Sequence, residues 1–196
     1  MAPMRILLLT LGVVAWLVGH ATALAADVAA GKVLAEGCAG CHGVDGISQT
    51  PLTPSLAGQP DEFVQWQLVY FRSGARKSEA MSSIAAALSN EDIRNLGAYY
   101  ASLPPPKPAA VPDALAEIGE KIAGKHRCRS CHSDDYNGFR AAARLSGQRE
   151  DVLLKALRDF KSGARIGSGV ASMADVTFEL SDADMQALAH YMSMRP

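Results

Sequence analysis

Two stretches, Cys38-Ala39-Gly40-Cys41-His42 and Cys128-Arg129-Ser130-Cys131-His132, hold all four cysteines of this 196-residue chain. Each is a C-x-x-C-H motif, the pattern of c-type haem attachment. Two thiols three residues apart lie along one face of a helical turn, where they can form thioethers with the two vinyl groups of one haem. The adjacent histidine is then held under the iron as the proximal ligand. Other uses of the cysteines fit less well. Zinc sites bring their C-x-x-C pairs within about 15–20 residues of each other, and here Cys38 and Cys128 are 90 apart. A thioredoxin-like pair belongs to an alternating strand–helix pattern that is not evident here. Structural disulfides give no reason for His42 and His132. The predicted cofactors are therefore two haem c groups.

Outside these motifs the chain repeats itself. Leu56-Ala57-Gly58-Gln59 returns as Leu145-Ser146-Gly147-Gln148, and Phe71-Arg72-Ser73-Gly74-Ala75-Arg76 returns as Phe160-Lys161-Ser162-Gly163-Ala164-Arg165, both at an offset of 89. Met81 and Met173 correspond at an offset of 92, as do Leu88-Ser89 and Leu180-Ser181. Small loop indels separate the blocks, notably around Gly167-Ser168-Gly169. Two repeats of this length mean two similar domains rather than a solenoid. Between them Pro104-Pro105-Pro106-Lys107-Pro108 reads as a stiff, extended linker.

Each half reads as helices joined by loops, so the expected class is all-α. A first helix runs from about Asp27 into the first motif, and its counterpart from about Asp113. Phe63, Trp66, Val69 and Tyr70 recur at helical spacing, as do Val152, Leu153, Ala156, Leu157 and Phe160. Trp66, Tyr99 and Tyr191 are expected in the core. Gly74 and Gly163 follow as C-cap candidates. The last helix of each half opens with a capping box, Ser89-x-x-Asp92 and Ser181-x-x-Asp184. Gly31 and Gly119 are candidates for close crossings against Tyr99 and Tyr191. Each half has only about 75–85 residues, small for an apolar core alone, and a covalently held haem would add hydrophobic mass.

The N-terminus reads as an export signal. Met1 to Arg5 is a short basic start, Ile6 to Val18 is almost wholly apolar, and Ala23-Leu24-Ala25 has the A-x-A pattern of a cleavage site. The apolar run is short for a membrane span, so a cleaved signal is favoured over a retained anchor. The expected organisation is a signal peptide at 1–25, a first domain at 26–103, a linker at 104–112 and a second domain at 113–196. The formal net charge of −1 argues against a general nucleic-acid binder. Residues 26–103 carry 5 basic and 8 acidic side chains, and residues 113–196 carry 12 of each. Lys125, Arg127 and Arg129 surround the second motif, so the two haem edges are expected to meet different partners.

The sixth ligand of each iron can be argued from residues. Between the first motif and the linker the only methionine is Met81, and its repeat partner is Met173. Each is read as lying in a loop just before a capped helix, 39 and 41 residues beyond its histidine. A thioether opposite imidazole favours Fe(II) and raises the potential. Met185, Met192 and Met194 compete with Met173, but they lie in or near the final helix, where packing is the simpler role. His126 is too close to Cys128 to reach the opposite face, and His190 reads as surface or packing.

The ordered set of blocks in both halves resembles cytochrome c4, tandem dihaem class I cytochromes c of the bacterial periplasm. The resemblance covers about 27–196. It implies two all-helical haem domains packed face to face, one His and one Met on each iron, and respiratory electron transfer, usually onward to a terminal oxidase. It also implies a proline carbonyl that holds the proximal histidine. Pro54 matches in the first half, and Ala143 stands at the equivalent place in the second. With both axial positions filled, neither iron has an open site for a substrate, so no catalytic residue is expected. The leading expectation is an electron carrier. The alternatives are a dihaem subunit of a larger dehydrogenase, such as a flavocytochrome sulfide dehydrogenase, and a haem peroxidase. Expected partners are redox proteins, an electron-donor complex and a terminal oxidase, with no nucleic acid. A monomer, with loose membrane attachment at most, completes the expectation.

Overall fold

The structure, a computed structural model, describes residues 25–108, 113–166 and 171–196. Residues 1–24 of the expected signal, the last four of the expected linker and the Gly167-Ser168-Gly169 indel lie outside them. Among the described residues there is no strand, only one isolated bridge between Phe139 and Ala142.

The first half holds α1 (Val28–Ala35), a 3-10 turn (Glu36–Cys38), α2 (Ala39–His42), α3 (Asp61–Ser73), α4 (Glu79–Ala86) and α5 (Asn90–Ser102). The second holds α6 (Ala114–Lys125), α7 (Arg129–His132), α8 (Glu150–Lys161), α9 (Ala171–Phe178) and α10 (Asp182–Met194). The starts follow the sequence closely. Asp27 Oδ1 accepts from the N–H groups of Ala29 and Ala30, and Asp113 Oδ1 from those of Leu115 and Ala116. Both capping boxes form, at Ser89 with Asp92 and at Ser181 with Asp184. Such caps are each worth about 1 kcal/mol. Gly74 ends α3 in the left-handed region, and Gly163 follows the Ser162 cap of α8 at φ 74°.

In each half the first and last helices cross at a glycine. A Cβ on Gly31 would lie 2.1 Å from Asn95 O and 2.8 Å from Tyr99 Cβ. A Cβ on Gly119 would lie 2.2 Å from Ala187 O and 2.6 Å from Tyr191 Cβ. The expected crossings are therefore present, and only glycine allows backbones this close. Tyr99 and Tyr191 are buried beside them.

Two expectations need correction. Trp66 is 46% exposed and stacks on Tyr70 rather than filling the core. The buried stripe of α3 is Val64, Leu68 and Phe71, rotated by one residue from the aromatic series. The aliphatic positions won the interior because α5 brings Ile93 and Leu96 against them. Met81 and Met173 also lie inside helices, not loops. Ser78 caps α4 by accepting from the Met81 N–H at 3.2 Å, a signal confined to one turn of chain.

The linker is a packed element. A Cβ on Gly58 would lie 2.6 Å from Pro105 Cβ, and one on Gly147 would lie 2.8 Å from Pro106 O. The two equivalent glycine turns thus press against successive prolines of one extended strap.

Candidate haem sites

In each half a short helical turn presents the motif. No disulfide joins any of the four cysteines. Cys41 and Cys131 are exposed, while Cys38 and Cys128 are half-buried and pack against the apolar cluster of their own half. Burial raises the thiol pKa of both inner cysteines.

The histidine rings are oriented by backbone. His42 Nδ1 lies 2.8 Å from Pro54 O, and His132 Nδ1 lies 2.8 Å from Ala143 O. A carbonyl can only accept, so Nδ1 carries the proton and Nε2 keeps its lone pair for a metal. Burial lowers the pKa of both rings, with the carbonyl contact opposing it. The replacement of proline by Ala143 therefore does not cost the second half its acceptor.

The loops behind these carbonyls are built alike. Gly46 O accepts from the N–H groups of Leu56 and Ala57, and Tyr136 O from those of Leu145 and Ser146. In the first half Ser48 is buried and donates from Oγ to Cys41 O at 2.9 Å, tying the loop to the motif.

The two methionines sit at repeat-equivalent places in α4 and α9. Met81 packs against the same apolar cluster as Cys38. Met173 is half-buried, and Thr177 Oγ1 donates to its carbonyl at 2.8 Å. Met185 and Met192 are buried in the second core, with Met194 packed against it. His126 caps α6 and lies 4.0 Å from Glu179. His190 is held between Glu150 Oε2 at 2.8 Å and Asp113 Oδ2 at 3.1 Å.

These residues fit a c-type haem in each half: paired free thiols, an oriented imidazole and a thioether at a repeat-equivalent place. Two buried guanidinium nitrogens, Arg165 Nε and Arg195 Nε, have no hydrogen-bond partner among the described residues. Unsatisfied buried cationic donors suit a group that carries carboxylates.

Sequence reasoning quoted Gln59 and Gln148 as repeats but gave them no role. They are the centre of the seam between the halves. Gln59 Nε2 donates to Arg144 O and its Oε1 accepts from the Arg144 N–H, both at 3.0 Å. Gln148 does the same to Ser55, at 2.9 Å each. Ser55 and Arg144 are themselves 89 apart, so the contact is reciprocal, as in a two-fold dimer. All four residues are buried. Around this centre Leu52 N donates to Asp151 Oδ2 at 2.8 Å, and Arg165 Nη2 to Gln67 Oε1 at 2.8 Å. The signal that could have revealed the seam was the identity of the glutamine in two blocks of otherwise structural residues.

Two motif-bearing helical halves in one chain define a dihaem cytochrome c. The cytochrome c family model matches residues 28–104 and 116–195. Cytochrome c4 of Azotobacter vinelandii is 37% identical over 205 residues, covering 95% of each chain. A thiosulfate dehydrogenase electron acceptor of Thiomonas intermedia is 33% identical, covering 99% of this chain and 93% of the relative. The crystal structure of reduced recombinant cytochrome c4 from Pseudomonas stutzeri superposes with a TM-score of 0.81 at 32% identity, covering 88% of this chain and all of that one. The chain belongs to the cytochrome c4 family: it is a dihaem electron-transfer protein with haem c on Cys38/Cys41 and Cys128/Cys131.

Proposed function

We propose that the chain is a periplasmic electron carrier of respiration that passes electrons toward a terminal oxidase, with domains at 26–103 and 113–196. Each iron would be held by His42 and Met81, or by His132 and Met173, and would supply one-electron Fe(III)/Fe(II) exchange when bound. The observation that carries this is the pair of oriented imidazoles, each with Nε2 free and a repeat-equivalent methionine in the same half. Pro54 and Ala143 hold the rings, and Met81 and Met173 would supply the second ligand of each iron. With both ligands in place, the residues would hold the group and exclude small ligands. The export-type N-terminus supports the periplasmic assignment. Stopped-flow oxidation by a membrane oxidase preparation tests it, and no transfer would oppose it.

A second reading is favoured by the thiosulfate dehydrogenase electron acceptor that aligns over nearly the whole chain. Here the electron donor is a sulfur-oxyanion dehydrogenase. Reduction by thiosulfate that requires such an enzyme would establish it.

The surfaces around the two motifs differ. Beside the second lie exposed Lys125, Arg127 and Arg140 together with exposed Asp134 and Asp135, and Phe139 is 64% exposed. Beside the first lie Glu36 and Asp45 around Val44, which is 88% exposed. Charge of this kind sets orientation and on-rate. Arg129 is committed to Tyr136, its Nε donating to the phenol oxygen at 3.2 Å. Lys125→Glu with Arg127→Glu is therefore the cleaner variant. It should slow reduction or oxidation, not both, and flatten the dependence of that step on ionic strength.

A further inference from the structure

The helix that carries Met173 is held largely by polar contacts. Among the described side chains of α9 only Thr177 is buried, at 0% exposure. Its hydroxyl turns back along the helix: Oγ1 donates to Met173 O at 2.8 Å and lies 3.2 Å from Ala174 O. Lys161, the last residue of α8, grips the far end. Its Nζ donates to Thr177 O at 3.3 Å, to Phe178 O at 2.9 Å and to Leu180 O. An ammonium has three donors, and all three fall on carbonyls at the C-terminal end of α9, where a cation also meets the negative end of the helix dipole. The contacts form one line, from Lys161 Nζ to Thr177 O and from Thr177 Oγ1 to Met173 O.

The first half has no such line. Ala85 stands for Thr177, at the offset of 92 that relates the methionines, and it has no hydroxyl. Arg72 stands for Lys161, at the offset of 89. Arg72 Nη1 donates to Leu88 O at 2.9 Å and Nη2 to Asn90 Oδ1 at 2.6 Å, so it ties the chain after α4 to the start of α5. In the second half that tie belongs to Arg158, which bonds Asp182 at 2.7 and 2.8 Å. Lys161 is thereby left to α9 alone.

We propose that Lys161 and Thr177 form a strut that positions Met173 as ligand of the second iron, a device the first half lacks. The proposal rests on the reading of Met173 as that ligand. A thioether favours Fe(II) over Fe(III), so in the oxidised protein the place of Met173 depends most on how its backbone is held. The strut acts on that backbone, through the carbonyl of residue 173, and touches neither the thioether nor the imidazole.

The test is imidazole binding to the oxidised holoprotein, followed through loss of the methionine–iron(III) absorption, in wild type and in Lys161→Met, Thr177→Val, Thr177→Ser and the Lys161→Met/Thr177→Val double variant. The phase belonging to the second haem is the one that Met173→Ala removes. Lys161→Met and Thr177→Val should each speed that phase by about three- to tenfold, the worth of one cation at a helix end or one internal hydrogen bond, and leave the first-haem phase unchanged. Thr177→Ser keeps the hydroxyl and should keep the wild-type rate. The double variant should be no faster than the faster single, because the two residues act in series. In a Met173→Ala background Lys161→Met should leave imidazole binding at the second haem unaltered, which a general loosening of the half would not do. Amide hydrogen exchange of the holoprotein should show faster exchange across α9 in both single variants. Wild-type rates in the two single variants, equal acceleration of both haems, or fully multiplicative effects in the double variant overturn the strut while Met173→Ala still loses the absorption. If Met173→Ala keeps that absorption, the ligand reading and the strut fall together.

Discussion

The two halves share one plan but not one degree of backbone ease. After the first motif the left-handed positions are glycines, Gly43 at φ 85° and Gly46 at φ 76°. The equivalent positions of the second half are Ser133 at φ 68° and Tyr136 at φ 60°. With Arg127 and Arg140 the second half has four non-glycine residues at positive φ among the described residues, against Leu52 alone in the first. Such conformations cost about 1–3 kcal/mol each. Tyr136 repays part of this by being fully buried, edge-on to Tyr191 and beneath Arg129. The second half thus trades backbone ease for an aromatic–arginine cluster beside its motif. The first keeps relaxed glycines and an ordinary proline acceptor.

The largest effects should separate the halves through Met81 and Met173, the methionines proposed as iron ligands. Met81→Ala should open the first iron to carbon monoxide and abolish its methionine–iron(III) absorption while the second haem stays low-spin. Met173→Ala should do the converse. Met81→His or Met173→His should keep six-coordination and lower that haem's potential by a few tenths of a volt, roughly the scale on which axial ligands tune haem. Spectra recorded during single-variant titrations check this. An unchanged second haem in Met173→Ala would move the assignment to Met185 or Met192.

The seam should respond symmetrically. Gln59→Ala strands the backbone N–H and C=O of Arg144, and Gln148→Ala those of Ser55. Each loss should cost about 2–4 kcal/mol, from two buried groups left unpaired. Denaturant midpoints that fall by clearly different amounts would show that one clamp carries the contact.

Backbone strain predicts smaller changes of opposite sign. Gly43→Ala meets Ile47 O at 2.2 Å in a left-handed conformation and should destabilise by about 2–3 kcal/mol. Ser133→Gly relieves the same conformation and should stabilise by about 0.5–1 kcal/mol, net of glycine's own entropy. Thermal melts of the two variants give the signs directly.

The smallest effect concerns pH. The hydrogen bond to Glu150 chiefly raises the His190 pKa, and Asp113 adds to it. Its contribution is complete below the unfolded value of about 6.5 and is lost as pH rises through the raised folded value. The ring is partly exposed, so the effect should stay under about 1 kcal/mol. Ala98 stands at the equivalent place in the first half, and His190→Gln should flatten the dependence in stability curves measured from pH 6 to 9.

Much of this was legible in the sequence because it is local. Caps at Asp27, Ser89, Asp113 and Ser181 depend on one turn of chain. The motifs fix their own spacing, and Gly31 and Gly119 stand out against their partner tyrosines. What was hidden is what depends on the other half. The α3 stripe is chosen by α5, not by its own aromatics. Gln59, Gln148 and Arg165 repeat as plainly as the cysteines, yet their partners are a backbone and an amide about 85–98 residues away. Nothing in a one-dimensional pattern names those partners.

The central claim is two equivalent, six-coordinate haem halves in one chain. The most direct measurement is a potentiometric titration of the purified holoprotein, followed in the visible spectrum and paired with haem quantification. The expected result is two haems per chain, two one-electron steps, and low-spin spectra in both oxidation states with no binding of carbon monoxide. One haem per chain, or a second haem that is high-spin and binds carbon monoxide, would contradict it.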